Sequence, residues 1–345
     1  MLKFPKIIFL STLVSLPITT CFFFASCSSI PPDDSDYKTE HADFINERSF
    51  SIYASSGLVG TTWIFKKSQD SDYSYYLATN VHVASLFSRT TSIKMYLGYN
   101  PDYSKQTWFD SLSDYYPIDN YDLIGENSDE RPTKPEWSVS SPYEWDVDFD
   151  VFKVNFGTVE QIKDNDPFKT SKNNLLNRLN NLNNYANLHS DSIVEFADSN
   201  YQYELNMPIH VAGFPKRQKG ASGSARWTSY STTYAGYNFS NNTSNNPIFA
   251  QDQDIYFKDN VKINIIGKVI AYKSNDTPEL TGGSSGSMVV DDDDKVIAIN
   301  FAGSTKKDDE YTSMQSVGLF LNTKNSYFGS SYQYEVLTDW FNNLT

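Results

Sequence analysis

Thr281-Gly282-Gly283-Ser284-Ser285-Gly286-Ser287-Met288-Val289-Val290 is a glycine-framed serine turn that runs straight into an apolar strand. A nucleophilic alcohol needs such a turn, because two backbone N–H groups must point at one spot where charge develops. Here the donors would belong to Gly283 and Ser285, with Ser285 as the nucleophile. Glycine at 283 and 286 permits the close backbone approach and the unusual dihedrals this requires. Downstream, Asp291 to Lys295 turn the chain and Val296 to Ile299 return as a hairpin partner.

A second segment, Gly220-Ala221-Ser222-Gly223-Ser224, has the same Gly-x-Ser-Gly-Ser pattern. It sits among Lys216, Arg217, Lys219 and Arg226, with no apolar strand leaving it, and reads as a surface loop. Upstream of both, Leu77-Ala78-Thr79-Asn80-Val81-His82-Val83 places an imidazole just past a buried strand, beside small residues. An unperturbed imidazole, with a pKa near ~6.5, suits a general base at neutral pH. A third piece, Asp148-Phe149-Asp150-Val151-Phe152-Lys153-Val154, begins a strand with a carboxylate. Asp148 is favoured as the partner of His82; Asp146 and Asp150 are its competitors.

The order His82, Asp148, Ser285 is that of chymotrypsin-like proteases and differs from subtilisins and α/β-hydrolases. The Thr-Asn-x-His-Val segment resembles the histidine motif of glutamyl endopeptidases and related trypsin-like bacterial enzymes. The whole is most similar to mycoplasma immunoglobulin proteases, which are lipoproteins with a trypsin-like domain and a Gly-x-Ser-Gly-Ser nucleophile. This resemblance covers residues 45 to 345 and implies a chymotrypsin/trypsin-like double β-barrel and peptide-bond hydrolysis. It also implies a substrate pocket from Leu280, Thr281, Asn300, Phe301 and Gly303. Glutamyl endopeptidases carry histidine where Asn300 stands, which argues against glutamate preference. Immunoglobulin is the implied substrate. Relatives that cut heavy chains carry extra antibody-binding regions for which this chain is short. That leaves room for an antibody-binding partner protein, or for a pseudoprotease that grips host protein without cutting it.

The strand pattern agrees with a mostly β chain. Ser51–Ala54, Thr61–Phe65, Ser74–Ala78, Ser92–Leu97 and Asp150–Val154 are short β-prone runs between turn signals. Ile209–Ala212, Val261–Ala271, Ser287–Val290, Val296–Phe301 and Val317–Leu321 continue it. An aromatic, acidic insertion over residues 99–142 shows no period and reads as long loops. Leu175, Leu179, Leu182 and Ala186 recur at helical spacing, predicting a surface helix over 172–188. Val336, Leu337, Trp340, Phe341 and Leu344 predict a C-terminal amphipathic helix. The first barrel is assigned to residues 48–156, a connection to 157–200, and the second barrel with its closing helix to 201–345.

Composition bounds the rest. Lys3 and Lys6 precede an apolar stretch, Ile7 to Phe24, ending in Phe24-Ala25-Ser26-Cys27. This is a secretory-signal pattern over residues 1–26. Its end resembles a bacterial lipobox, which implies a lipid on Cys27, a tether over 27–47 and attachment to the outer face of the cell membrane. Cys21 would leave with the signal, so the mature domain has no thiol, no disulfide and no thiolate–metal chemistry. The formal charge is −14, and −16 without Lys3 and Lys6, which excludes nucleic acid as a partner. Asp291 to Asp294 lack the spacing of a calcium loop and read as a solvated turn. No metal or cofactor is expected.

Overall fold

The computed structural model describes residues 41–54, 57–84, 87, 94–102, 108–124 and 149–197. It also describes 201, 207–215, 225–233, 254–257, 261–264, 269–273, 282–304, 315–320 and 344. The expected signal, Cys27, the Ser222 loop and the C-terminal helix before Leu344 lie outside these residues.

The chain opens with helix α1 (Ala42–Arg48), which runs into strand β1 (Ser49–Ala54). Then come β2 (Gly57–Lys67), β3 (Ser74–Thr79), a helical turn α2 (Val81–Ala84), β4 (Met95–Gly98) and β5 (Trp108–Phe109). Short strands β6 (Tyr116–Ile118) and β7 (Asn120–Leu123) precede β8 (Asp150–Asn155). Seven of these strands form one sheet in the order β6-β4-β1-β2-β3-β8-β7. Its two edge strands are separated in sequence by Asp119 alone, so the ends of the sheet must meet and the sheet rolls into a nearly closed barrel.

After α3 (Val159–Asn165) and α4 (Leu175–Leu188), the pattern repeats. The later strands are β9 (Pro208–Gly213), β10 (Ala225–Arg226), β11 (Thr228–Thr233), β12 (Asp254–Phe257) and β13 (Val261–Asn264). They are followed by β14 (Val269–Lys273), β15 (Met288–Val290), β16 (Val296–Ser304) and β17 (Gln315–Phe320). The second sheet runs β11-β9-β15-β16-β17-β14, and its end strands β11 and β14 approach each other. Let β6 and β7 count as one bent strand, and let β9, β11, β14, β15, β16 and β17 count as first to sixth. Both sheets then have the same circular order, first-second-third-sixth-fifth-fourth. The chain is a mostly β double barrel of the chymotrypsin-like class.

Burial explains why the central strands read as almost continuously apolar. Ile64, Leu77, Phe152 and Val154 fill the first barrel together with Leu175, Leu179 and Leu182 of α4. Their neighbours Trp63, Phe65, Ala78 and Val151 face the other way and pack with Phe214, Trp227, Met288 and Val296 between the barrels. Both faces of β2, β3 and β8 are therefore dry, and no polar alternation survives. Three features cross from one barrel to the other. His41, at the head of α1, lies on the second barrel; β5 pairs with β10; and the Leu344 carbonyl accepts a bond from Lys66.

The elements depart from the sequence reading in several places, among them β10, β11 and β12, which fall where no strand was expected. The 99–142 insertion contains β5, β6, β7 and a 3₁₀ turn at Leu112–Asp114, where long loops were expected. Strands of two to four residues, one with Pro117 on a sheet edge, carry too few alternations to register as a period. The run Val261–Ala271 is two strands in separate sheets, because among the described residues β13 pairs with β12 while β14 joins β17. Helix α1 occupies the end of the segment expected to be a tether over 27–47, since Ile45 buries in the inter-barrel core with Phe44 packed against it.

Candidate active site

The serine turn lies where the two barrels touch. Gly283 and Gly286 have φ of 99° and 90°, in the left-handed region that disfavours side chains. Space forbids one at 286 as well: a Cβ there would sit 2.0 Å from the Thr61 carbonyl oxygen and 2.7 Å from Thr79 Oγ1. The two serines of the turn differ in environment. Ser284 is buried, and its carbonyl accepts bonds from Ser287 Oγ at 2.6 Å and Asn300 Nδ2 at 3.1 Å. Ser285 is the more exposed of the two, half-buried.

Thr61 on β2 fastens this turn to the first barrel. Its N–H donates to the Ser285 carbonyl at 2.8 Å, and its Oγ1 donates to the Gly283 carbonyl at 3.0 Å. The same Oγ1 accepts the Phe214 N–H at 3.0 Å, and the Thr61 carbonyl accepts Thr79 Oγ1 at 2.8 Å. Thr61, braced by Thr79 on the next strand, thus joins both barrels at the turn. Sequence reading assigned them only to strands; the Thr-Asn-x-His segment that contains Thr79 was the available signal.

The other expected residues distribute as follows. His82 lies in α2, whose turn is set by Asn80, the Asn80 carbonyl accepting the N–H groups of Val83 at 3.1 Å and Ala84 at 2.9 Å. A Cβ placed on Gly60 would meet Val83 Cγ2 at 2.6 Å and the Ser285 carbonyl oxygen at 2.9 Å. Residues 83 and 285 therefore flank the same glycine, which brings the backbone of the histidine turn beside that of the serine turn. The imidazole of His82 lies outside the described structure, as do Asp148, its competitor Asp146, Leu280 and Thr281. Asp150, the remaining competitor, is buried at the start of β8 opposite Thr79, and its Oδ1 accepts the Val151 N–H at 2.8 Å.

Asn300, expected in the substrate pocket, is buried and holds the serine turn. Beyond its side-chain bond to Ser284, its carbonyl accepts the Gly286 N–H at 2.7 Å and its N–H donates to Ser287 at 2.8 Å. Phe301 and Gly303 continue β16, with a register shift between Asn300 and Ala302. Such bulges re-aim side chains at the rims of barrels.

A second Ser-His-Asp chain exists on β9, β11 and the β15–β16 turn, where His210 is bonded to Ser231 Oγ at Nδ1 and to Asp292 Oδ1 at Nε2, each at 2.7 Å. A proton relay to a nucleophilic serine uses the opposite edges, Nε2 for serine and Nδ1 for the acid. No glycine turn surrounds Ser231 on its strand. His210 is buried, and burial holds its pKa below the usual imidazole value despite Asp292.

The solved structure of the Rv3671c protease, from M. tuberculosis H37Rv, aligns with 88% of this chain and 91% of its own at 12% identity, with a TM-score of 0.41. A thermostable serine protease, AL20, from an extremophilic microorganism covers 81% of this chain and 92% of its own at 12% identity and TM-score 0.40. Neuropsin from mouse brain covers 81% and 91% at 11% identity and TM-score 0.42. No curated protein matches the chain. The profile of the family described as mycoplasma immunoglobulin protease matches residues 41–134 and 127–302, which include all three proposed catalytic positions, and the chain belongs to that family.

Proposed function

We propose that this protein is a lipid-anchored serine endopeptidase acting outside the cell on host proteins, immunoglobulin among them, through His82, Asp148 and Ser285. The observation that carries this reading is the docking of the Ser285 carbonyl on the Thr61 N–H at 2.8 Å, beside the turn that bears His82. In the proposed reaction Ser285 Oγ attacks the scissile carbonyl while His82 takes its proton. The imidazolium then protonates the leaving amine, and Asp148 holds the ring tautomer and stabilises its charge. The N–H groups of Gly283 and Ser285 stabilise the oxyanion, each worth ~10²–10³ in turnover. Water completes the cycle by hydrolysing the acyl-enzyme.

A fluorophosphonate probe tests this directly. Wild type and Ser222→Ala should label at equal rates, and Ser285→Ala should not label. A folded wild type that stays unlabelled would sink the reading. If that unlabelled protein retained intact antibody in a pull-down, the chain would be a binding pseudoprotease.

A further inference from the structure

Away from the serine turn, three distant segments bring two histidines and two carboxylates together. His41 heads α1, His210 lies in β9, and Asp292 and Asp294 lie in the β15–β16 turn. The two imidazole rings are 3.9 Å apart between centroids. One nitrogen from each ring and one carboxylate oxygen of Asp292 all fall within 4.8 Å of one another. We propose that His41, His210 and Asp292 form a zinc-type divalent cation site that clamps the N-terminal arm onto the second barrel.

The donor set selects the ion class. Two imidazoles and one carboxylate suit zinc and its first-row neighbours, whereas calcium and magnesium require oxygen ligands. Tetrahedral bonds of about 2.1 Å put ligand atoms about 3.4 Å apart, so a modest contraction of the cluster completes the site. The surroundings are already built for orientation. Ser231 Oγ is 2.7 Å from His210 Nδ1, leaving Nε2, which faces Asp292, as the metal-binding edge. Asp294 Oδ1 is 2.7 Å from His41 Nδ1 and supplies a second carboxylate to that ring. Asp291 braces the turn from behind, accepting the N–H groups of Asp293 at 3.0 Å and Lys295 at 2.9 Å and the Tyr201 hydroxyl at 2.5 Å. His210 is buried while the Asp292 side chain is 57% exposed, so an ion can enter from the carboxylate side and keep a water as its fourth ligand.

The test is a calorimetric titration of untagged, chelator-treated full-length protein with zinc chloride. One ion per chain should bind, and at a hundredfold excess over the dissociation constant the melting temperature should rise by about 5 °C. Calcium and magnesium at the same concentration should leave it unchanged. Asp292→Asn, at an exposed position that leaves the core intact, should weaken zinc at least tenfold, and His41→Gln should do the same with unchanged circular dichroism. Asp293→Asn should bind as wild type does. The site is refuted if wild type takes up no zinc at 100 μM. Wild-type zinc affinity in both His41→Gln and Asp292→Asn would also refute it, as would zinc binding that disappears only in His82→Ala.

Discussion

Gly286 and Thr61 are two sides of one contact, and each predicts a different failure. Gly286→Ala combines a left-handed backbone with a Cβ 2.0 Å from a carbonyl oxygen of the other barrel. Backbone strain and overpacking together should cost about 3 kcal/mol or more in urea unfolding and abolish fluorophosphonate labelling. Thr61→Val keeps the volume but strips the hydroxyl that bridges Gly283 and Phe214. It should cost about 1–3 kcal/mol and slow labelling while the fold persists. Normal labelling by both variants would mean that the barrels do not register through this turn. Glycine spacing and serine context were legible in the sequence because the turn is local. The Thr61 hub was not, since its partners lie 222 and 153 residues away and a threonine in a strand is unremarkable on its own. Likewise, nothing local tells that His41 and His210 meet; only the fold brings them together.

At the level of elements, α4 shows how far periodicity reaches. The spacing of Leu175, Leu179, Leu182 and Ala186 predicted both the helix and its buried face, and all four are buried. Asn174 accepts the N–H of Asn177 at 2.9 Å as its N-cap, which fixes the start. Unforeseen was Arg178, 1% exposed on the same helix. Its guanidinium donates to the carbonyls of Asn46 at 2.7 Å and Asn100 at 2.8 Å, so one charged residue ties α1 and the end of β4 to the inter-barrel connection. An arginine among asparagines reads as solvent-facing because composition says nothing about which carbonyls await it. Arg178→Ala would remove both charge-assisted bonds and the packing of the guanidinium on Phe50 and Tyr99, at about 2–4 kcal/mol by urea denaturation. Arg178→Lys should restore little, since one ammonium cannot span the fork. A loss below ~0.5 kcal/mol would show that the helix docks through its leucines alone.

For the molecule as a whole, tyrosines set the alkaline limit. Burial raises the hydroxyl pKa values of Tyr75, Tyr99, Tyr115 and Tyr201 above the usual phenol range, and pushes Tyr116 up to about 12. In the unfolded chain these phenols ionise near pH ~10, so above that pH the unfolded state sheds protons that the folded state retains. Stability is therefore fully present below pH ~10 and is lost as pH rises toward about 12. The melting temperature should drop by roughly 10 °C between pH 9 and pH 11, with the late phenolate absorbance appearing only on unfolding. A flat profile would contradict the burial of these rings. Beyond Cys27 the chain has no cysteine, so a reducing agent should leave the transition unmoved.

The segments exchanged between the barrels bear on any attempt to dissect the chain. His41 reaches over to the downstream half, Leu344 bonds back to the upstream half, and Ala225 and Arg226 borrow their strand partners from residues 108 and 109. A fragment cut between α4 and β9 would leave each piece missing a segment that the other holds. Trp63 and Phe65 on one piece, and Phe214 and Trp227 on the other, would then face water. Neither half should be soluble when expressed alone, whereas the two co-expressed fragments should find each other and reassemble.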